Sequence, residues 1–243
     1  MTQNIYDNEG FFAGYSGLPR SVRGLDGAPE WPTLRALLPD LRGLRVLDLG
    51  CGFGWFCRFA RTQGAARVLG VDVSERMLAR ARAETADAAI SYVQADLEQL
   101  TLDAAMFDLA YSSLALHYIE NLERLLAHVH AALVPGAPFI FSVEHPIYTA
   151  PSRPGWVNDT EGHKAWPVAR YLDEGARTTD WLAKGVVKQH RTIATYFALL
   201  QRTGFAVSHI DEWGPTAEQI AANPEWAPER DRPPFLIVAC SRG

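Results

Sequence analysis

The chain has 243 residues, 48% of them hydrophobic and 21% charged, with a formal net charge of −5. That length supports a substantial core, as one large domain or a domain carrying an insertion, and the composition is that of an ordinary globular protein. The acidic balance, with no long basic run, gives no support to a nucleic-acid or acidic-membrane partner. No uninterrupted apolar run reaches transmembrane length, and residues 1–10 lack the apolar centre of a secretory signal, so the cytoplasm is the expected compartment. Cys51, Cys57 and Cys240 are odd in number and lack C-x-x-C spacing, which argues against a disulfide framework.

Short β-like runs alternate with amphipathic helical stretches, the pattern of a doubly wound α/β fold with a mostly parallel sheet. Residues 45–49 read as the first core strand, and 55–64 as a helix with Phe56, Phe59 and Ala60 on one face. A second strand spans 67–72. Ser74 then suits the N-cap of a helix over 75–86, because its hydroxyl can accept a free first-turn amide. Strands follow at 90–94 and 107–112, then a helix over 122–133 that Pro135-Gly136 stops, then a fifth strand at 139–143. Residues 144–185, rich in Pro, Gly, Trp and charge, far exceed a usual connection and are expected to form an inserted cover, or lid. The spacing predicts a helix over 190–203, with Ile193, Tyr196, Phe197 and Leu200 on a common face. Strands at 205–213 and 235–240 complete a seven-stranded sheet.

The chemistry begins in Val46-Leu47-Asp48-Leu49-Gly50-Cys51-Gly52-Phe53-Gly54, where an apolar strand ends in three glycines on alternate positions. Open α/β sheets bind ligands at such carboxyl ends, and glycines let a ligand approach bare backbone. The spacing is G-x-G-x-G, not the G-x-G-x-x-G of dinucleotide turns. In Gly70-Val71-Asp72-Val73-Ser74 an acidic residue closes the second strand, placed to accept both hydroxyls of a ribose. Gln94-Ala95-Asp96-Leu97 follows the third strand, and Phe107-Asp108-Leu109-Ala110-Tyr111-Ser112-Ser113-Leu114-Ala115-Leu116-His117 spans the fourth. Leu133-Val134-Pro135-Gly136-Ala137 precedes the fifth. As an ordered set over 42–143, these segments resemble the class I S-adenosylmethionine-dependent methyltransferases, specifically small-molecule enzymes of the type 11 group. Ala137 stands where the family's L-x-P-G-G turn has its second glycine.

The resemblance implies a single methyltransferase domain: an N-terminal cap over 1–41, a cofactor-binding core over 42–143, the insertion over 144–185 and the rest of the sheet over 186–243. It implies S-adenosylmethionine as methyl donor, no metal, and transfer by in-line displacement to a small-molecule acceptor. Asp48 would accept a hydrogen bond from the cofactor's amino group, while Gly50, Cys51 and Gly52 lie against its adenosyl-methionine moiety. Asp72 and Val73 would meet the ribose. Met77 would pack on the adenine or belong to the core. Asp96, with Leu97, would meet the adenine amine or cap a turn. Ser112, Ser113 and His117 would pass the methionine end. Ser142-Val143-Glu144-His145-Pro146-Ile147-Tyr148 is the best cluster for a base or substrate ligand. Within it His145 is either that group or a buried structural histidine, Tyr148 either meets substrate or packs, and Glu144 either joins them or is solvated surface; His117 and His190 carry weaker claims to the same task. Tyr6, Phe11, Phe12, Tyr15 and Arg20 either wall the pocket or dock on the sheet. Trp156, Trp166 and Trp181 either stack on a flat acceptor or anchor a lid.

Four other functions compete. An NAD(P)-dependent oxidoreductase shares the fold and Asp72, but the glycine spacing opposes it. A non-catalytic S-adenosylmethionine-binding module would keep the same cofactor residues. A DNA methylase needs an N/D-P-P-Y/F-type motif after strand four, which Tyr111-Ser112-Ser113-Leu114 does not match. Metal-assisted catechol methylation needs an oxygen-rich acidic cluster there, and the sequence shows none.

Overall fold

The computed structural model describes residues 3–243, so residues 1 and 2 of the expected cap lie outside the described residues. The chain opens with α1 (Glu9–Ser16), α2 (Pro19–Val22) and α3 (Trp31–Leu37). The core follows as β1 (Arg45–Leu49), α4 (Trp55–Thr62), β2 (Arg67–Asp72), α5 (Glu75–Ala83), β3 (Ile90–Gln94), β4 (Leu109–Ser113), α6 (Leu122–Ala132) and β5 (Pro138–Glu144). Then come α7 (Pro146–Thr149), a short pair β6 (Val157–Asn158) and β7 (Lys164–Ala165), and the hairpin β8 (Gly175–Trp181) and β9 (Ala183–His190). The chain closes with α8 (Ile193–Arg202), β10 (Phe205–Trp213), α9 (Ala217–Ala222), a 3-10 segment over Pro224–Arg230, and β11 (Phe235–Arg242).

The central sheet has seven strands in the order β10-β11-β5-β4-β1-β2-β3. Its first five strands pair in parallel, and β11 and β10 join antiparallel. The predicted doubly wound α/β fold is therefore present. Alternation of side chains along each strand divides the core into two layers. Leu47, Leu49, Phe139, Phe141 and Val143 face the layer that contains α6 and α8. Val46, Leu109, Tyr111 and Ile140 face the layer that contains α3 and α4, where Phe56 stacks on Tyr111 at 3.6 Å between centroids. Helices α4, α6 and α8 each cover a face of the sheet with the apolar stripe that their sequences carry.

Helix boundaries follow their caps. The Ser74 hydroxyl accepts the Met77 amide at 3.1 Å and opens α5. Thr192 does the same for Thr195, so α8 begins at Ile193 and not at 190. The expected insertion boundary at 185 falls inside the β8–β9 hairpin, which runs on to His190. That hairpin has a polar inner face: Arg177 and Lys188 are both buried, so the usual alternation of apolar and polar residues is masked. Residues 217–230 also form helical turns that sequence periodicity does not reveal, because none of their residues is buried. Their one sequence signal is the capping box of Thr216 and Gln219.

Phe141 is 1% exposed at the centre of the larger layer. Phe141→Ala should cost about 3–5 kcal/mol in denaturant unfolding, the usual range for a buried phenylalanine. A loss below about 1 kcal/mol would contradict this packing.

Candidate functional site

The strand ends of β1, β2, β4 and β5 open into a cavity of about 480 Å³. The turn after β1 forms its floor. The Gly50 and Cys51 amides both donate to the Val71 carbonyl, at 2.8 and 3.0 Å, which folds the turn back over β2. The three glycines of that turn serve different ends. A Cβ on Gly50 would lie 2.3 Å from the Ala115 Cβ, and one on Gly54 would lie 2.1 Å from the Tyr92 hydroxyl. These two admit close packing. Gly52, at φ +52°, has nothing within 4 Å of where a Cβ would stand, and it is the position that leaves backbone open to a ligand.

Asp72 ties this turn to the next helix. One carboxylate oxygen accepts the Gly52 amide at 2.8 Å and the other accepts the Ser74 amide at 2.9 Å. Burial raises its pKa, and the amide bonds oppose that rise. Asp48 lies deeper, on the same sheet row as Tyr111 of β4, and accepts the Cys57 thiol at 3.2 Å. Burial pushes Asp48 up to about 7, with the Cys57 hydrogen bond opposing and the Asp72 charge reinforcing. A buried carboxylate without a cationic partner is a natural complement to a positively charged ligand. After β4 the chain turns through Leu114 at φ +55°, an unusual conformation for a leucine, held by its amide on the Ser142 carbonyl at 2.9 Å.

The remaining walls come from the cap, from 144–190 and from the segment before β11. Tyr6, Tyr15, Arg20, Glu30, Tyr148, Trp181, Trp213, Trp226, Glu229 and Arg232 line them. The cap packs on the hairpin: Phe11 is fully buried beside Val186, and the Gln3 side chain both donates to the Gly185 carbonyl and accepts the Val187 amide, each at 2.9 Å. The cap's charged group is neutralised internally, with Arg20 Nη1 3.0 Å from Glu30 Oε1. Arg232 is ion-paired with Glu229 and lies 4.4 Å from the Tyr148 ring centroid and 4.3 Å from that of Trp166.

Of the residues expected at the cofactor, Asp48, Gly50, Cys51, Gly52, Asp72, Val73, Asp96, Leu97, Ser113 and His117 all line the cavity. So do Tyr15, Arg20 and Tyr148, expected at the acceptor. Met77 does not: it is 2% exposed within the fold, the core alternative of its two readings. Ser112 points away, its hydroxyl donating to the Leu49 carbonyl at 2.8 Å. His145 is a buried cap. Its Nδ1 accepts the Ile147 amide at 3.0 Å to start α7, and its Nε2 lies 2.9 Å from Glu212 Oε1, so both ring nitrogens are engaged away from the cavity. Burial lowers its pKa, against the opposing effect of Glu212, which suits a neutral structural imidazole. His190 is likewise engaged, with Thr149 and the Tyr171 carbonyl. Of the three tryptophans, Trp181 lines the cavity, while Trp156 and Trp166 hold Arg232 and Tyr148 from behind. Tyr118, Trp226, Glu229 and Arg232 were not anticipated; only the three-dimensional path of 214–234 brings the last three to the cavity. No group of acidic, histidine or cysteine side chains suited to a metal occurs among the described residues, and no helix among them is long and apolar enough to cross a membrane.

Residues 47–141 match the methyltransferase domain family. A protein of Haemophilus influenzae is 34% identical over 97% of this chain and 95% of its own length. The malonyl-[acyl-carrier protein] O-methyltransferase of Enterobacter lignolyticus is 41% identical, but over 45% of this chain and 42% of its own. A crystal structure of an S-adenosylmethionine-dependent methyltransferase from Mesorhizobium loti is 61% identical, with a TM-score of 0.87 over 90% of this chain and all of that one. With that identity over nearly the whole length, and with the strand-end turn and its two carboxylates in place, this chain belongs to the S-adenosylmethionine-dependent methyltransferase family.

Proposed function

We propose that this chain transfers a methyl group from S-adenosylmethionine to a small-molecule acceptor inside the cavity. The observation that carries the reading is the Asp72 carboxylate, fixed by the Gly52 and Ser74 amides at the edge of a turn whose Gly52 faces open space. Asp72 keeps lone pairs for two ribose hydroxyls, and Asp48 supplies a desolvated carboxylate for a cationic group. Asp96 and Leu97 stand beyond β3 for the adenine, with Ser113 at the end of β4 and His117 beyond it for the methionine end. Bound there, S-adenosylmethionine supplies a methyl group on a sulfonium, already activated for in-line displacement.

The protein then has to align a nucleophile with that methyl and exclude water. The cap and the β8–β9 hairpin do the excluding, closing on one another through Phe11, Val186 and Gln3. Tyr15, Arg20 and Tyr148 lie on the acceptor side. Those three and Arg232 fall outside the matched stretch 47–141, so the acceptor side is built by the cap and by segments after β5.

Incubation of the protein with methyl-labelled S-adenosylmethionine and a metabolite extract should place label in a small-molecule product. Binding of NAD in calorimetry without binding of S-adenosylmethionine would defeat the reading. Asp72→Ala should weaken cofactor affinity by about ten- to a hundredfold, as expected for loss of hydrogen bonds to a charged group. Unchanged affinity would show that Asp72 does not hold the ribose. His145→Ala should instead lower stability by about 1 kcal/mol, the usual cost of a lost cap, and leave cofactor affinity unchanged. A comparable loss of affinity would return His145 to the site.

A further inference from the structure

We infer that the acceptor is an uncharged aromatic compound whose hydroxyl group donates to Oε2 of Glu144, and that Glu144 takes the hydroxyl proton as the methyl is transferred. The inference rests on the methyl-transfer reading above and names the acceptor class of that same cavity. Glu144 ends β5, four residues beyond Ile140, which shares a sheet row with Tyr111 and Asp48. It therefore stands over the same strand ends as the cofactor turn, and it lines the cavity. Oε1 accepts the Lys188 ammonium at 2.5 Å, and that ammonium lies 4.8 Å from the Trp181 ring centroid, its side chain 3% exposed. The Glu144 amide donates to Nδ1 of His117 at 3.3 Å, fixing the backbone behind the carboxylate. Oε2 is buried and has no hydrogen-bond partner among the described residues.

A buried carboxylate oxygen without a donor is costly, and the group that best relieves it is an O–H or N–H brought by the ligand. The charges nearby choose between classes of ligand. The two arginines on the wall are each paired with a carboxylate of their own, Arg20 with Glu30 and Arg232 with Glu229, so an anionic acceptor finds both cations already neutralised. An ammonium on Oε2 would stand beside Lys188, a like charge in a desolvated place. A neutral hydroxyl meets neither obstacle. Tyr118 and Tyr148 also line this part of the cavity; burial first, and the Glu144 charge second, keep both as protonated phenols that offer flat apolar faces. Together with Trp181 they suit an aromatic ring.

The step balances. The acceptor oxygen forms the new O–CH3 bond as the C–S bond breaks, the electron pair stays on sulfur as a neutral thioether, and the hydroxyl proton passes to Glu144. The test uses 4-methylphenol, 4-methylbenzoate and 4-methylbenzylamine as matched probes, with methyl-labelled S-adenosylmethionine, on the wild-type chain and on Glu144→Gln. Binding of S-adenosylhomocysteine by calorimetry accompanies each. The expected result is a labelled methyl ether from the phenol in preference to ester or amine, with kcat/KM lowered about a hundredfold in Glu144→Gln, the scale of a lost general base. S-adenosylhomocysteine affinity should stay within about twofold between the two proteins, since Glu144 lies on the acceptor side. Label in the benzoate or the benzylamine in preference to the phenol, equal phenol turnover by the variant, or no phenol binding by a protein that binds S-adenosylhomocysteine would each overturn the inference. Failure of the wild-type chain to bind S-adenosylhomocysteine would instead strike the methyl-transfer reading on which it rests.

Discussion

The pair of hydrogen bonds that Asp72 accepts from the Gly52 and Ser74 amides fixes the strand-end floor of the cavity. It joins the turn after β1 to the start of α5, so two loops that the sheet merely sets side by side become one rigid cradle. The cap reinforces the same junction: Ser74 donates from its hydroxyl to Asp7 at 2.5 Å, and the Arg76 amide reaches the same carboxylate oxygen at 3.2 Å. A single acidic residue at a strand end thus couples sheet, helix and, through Ser74, the N-terminal segment. The arrangement desolvates carboxylates, which is costly in the empty cavity and favourable when a cation enters.

The acceptor side is built by a different rule. Its walls pair Arg20 with Glu30 and Arg232 with Glu229, and Arg232 also lies against the Tyr148 and Trp166 rings. Such pairs contribute little net stability once desolvation is counted, but removing one partner is expensive, so they fix positions. The cap, the hairpin and the 3-10 segment over Pro224–Arg230 each lend residues to this wall; the first two share one small core, and the third buries none of its residues. Their order depends on one another and on the sheet edge beneath them. The cap thus serves both sides of the cavity, since its Asp7 holds the Ser74 junction and its Tyr15 and Arg20 stand in the wall.

Much of this was legible in the chain itself. The seven strands and the order of the core follow from alternating apolar runs and from caps such as Ser74, whose chemistry is local. The strand-end floor of the cavity was legible because glycine and aspartate at strand ends have few other uses. What escaped had no local signature. The β8–β9 hairpin turns charged residues inward, satisfying Lys188 on Glu144 and Arg177 on the Ala150 carbonyl, so its pattern resembles a polar loop. Arg232 and Glu229 enter the cavity only through the path of 214–234. His145 was attractive as a base because of its residue type and position; the ring is engaged at both nitrogens, a fact of tertiary packing. Its neighbour Glu144 has the open oxygen instead.

If desolvated strand-end carboxylates are matched to a positively charged cofactor, its binding is linked to protons. Asp48, raised to about 7 by burial, is mostly protonated at a pH of about 6 and ionised at about 8.5. A cation favours the ionised form, so binding at the lower pH must expel the proton, and affinity must weaken as pH falls below about 7. Calorimetry of S-adenosylmethionine in buffers of different ionisation enthalpy should show release of about one proton at the lower pH, little at the higher, and none at either in Asp48→Asn. Binding with no proton release across that range would contradict the account.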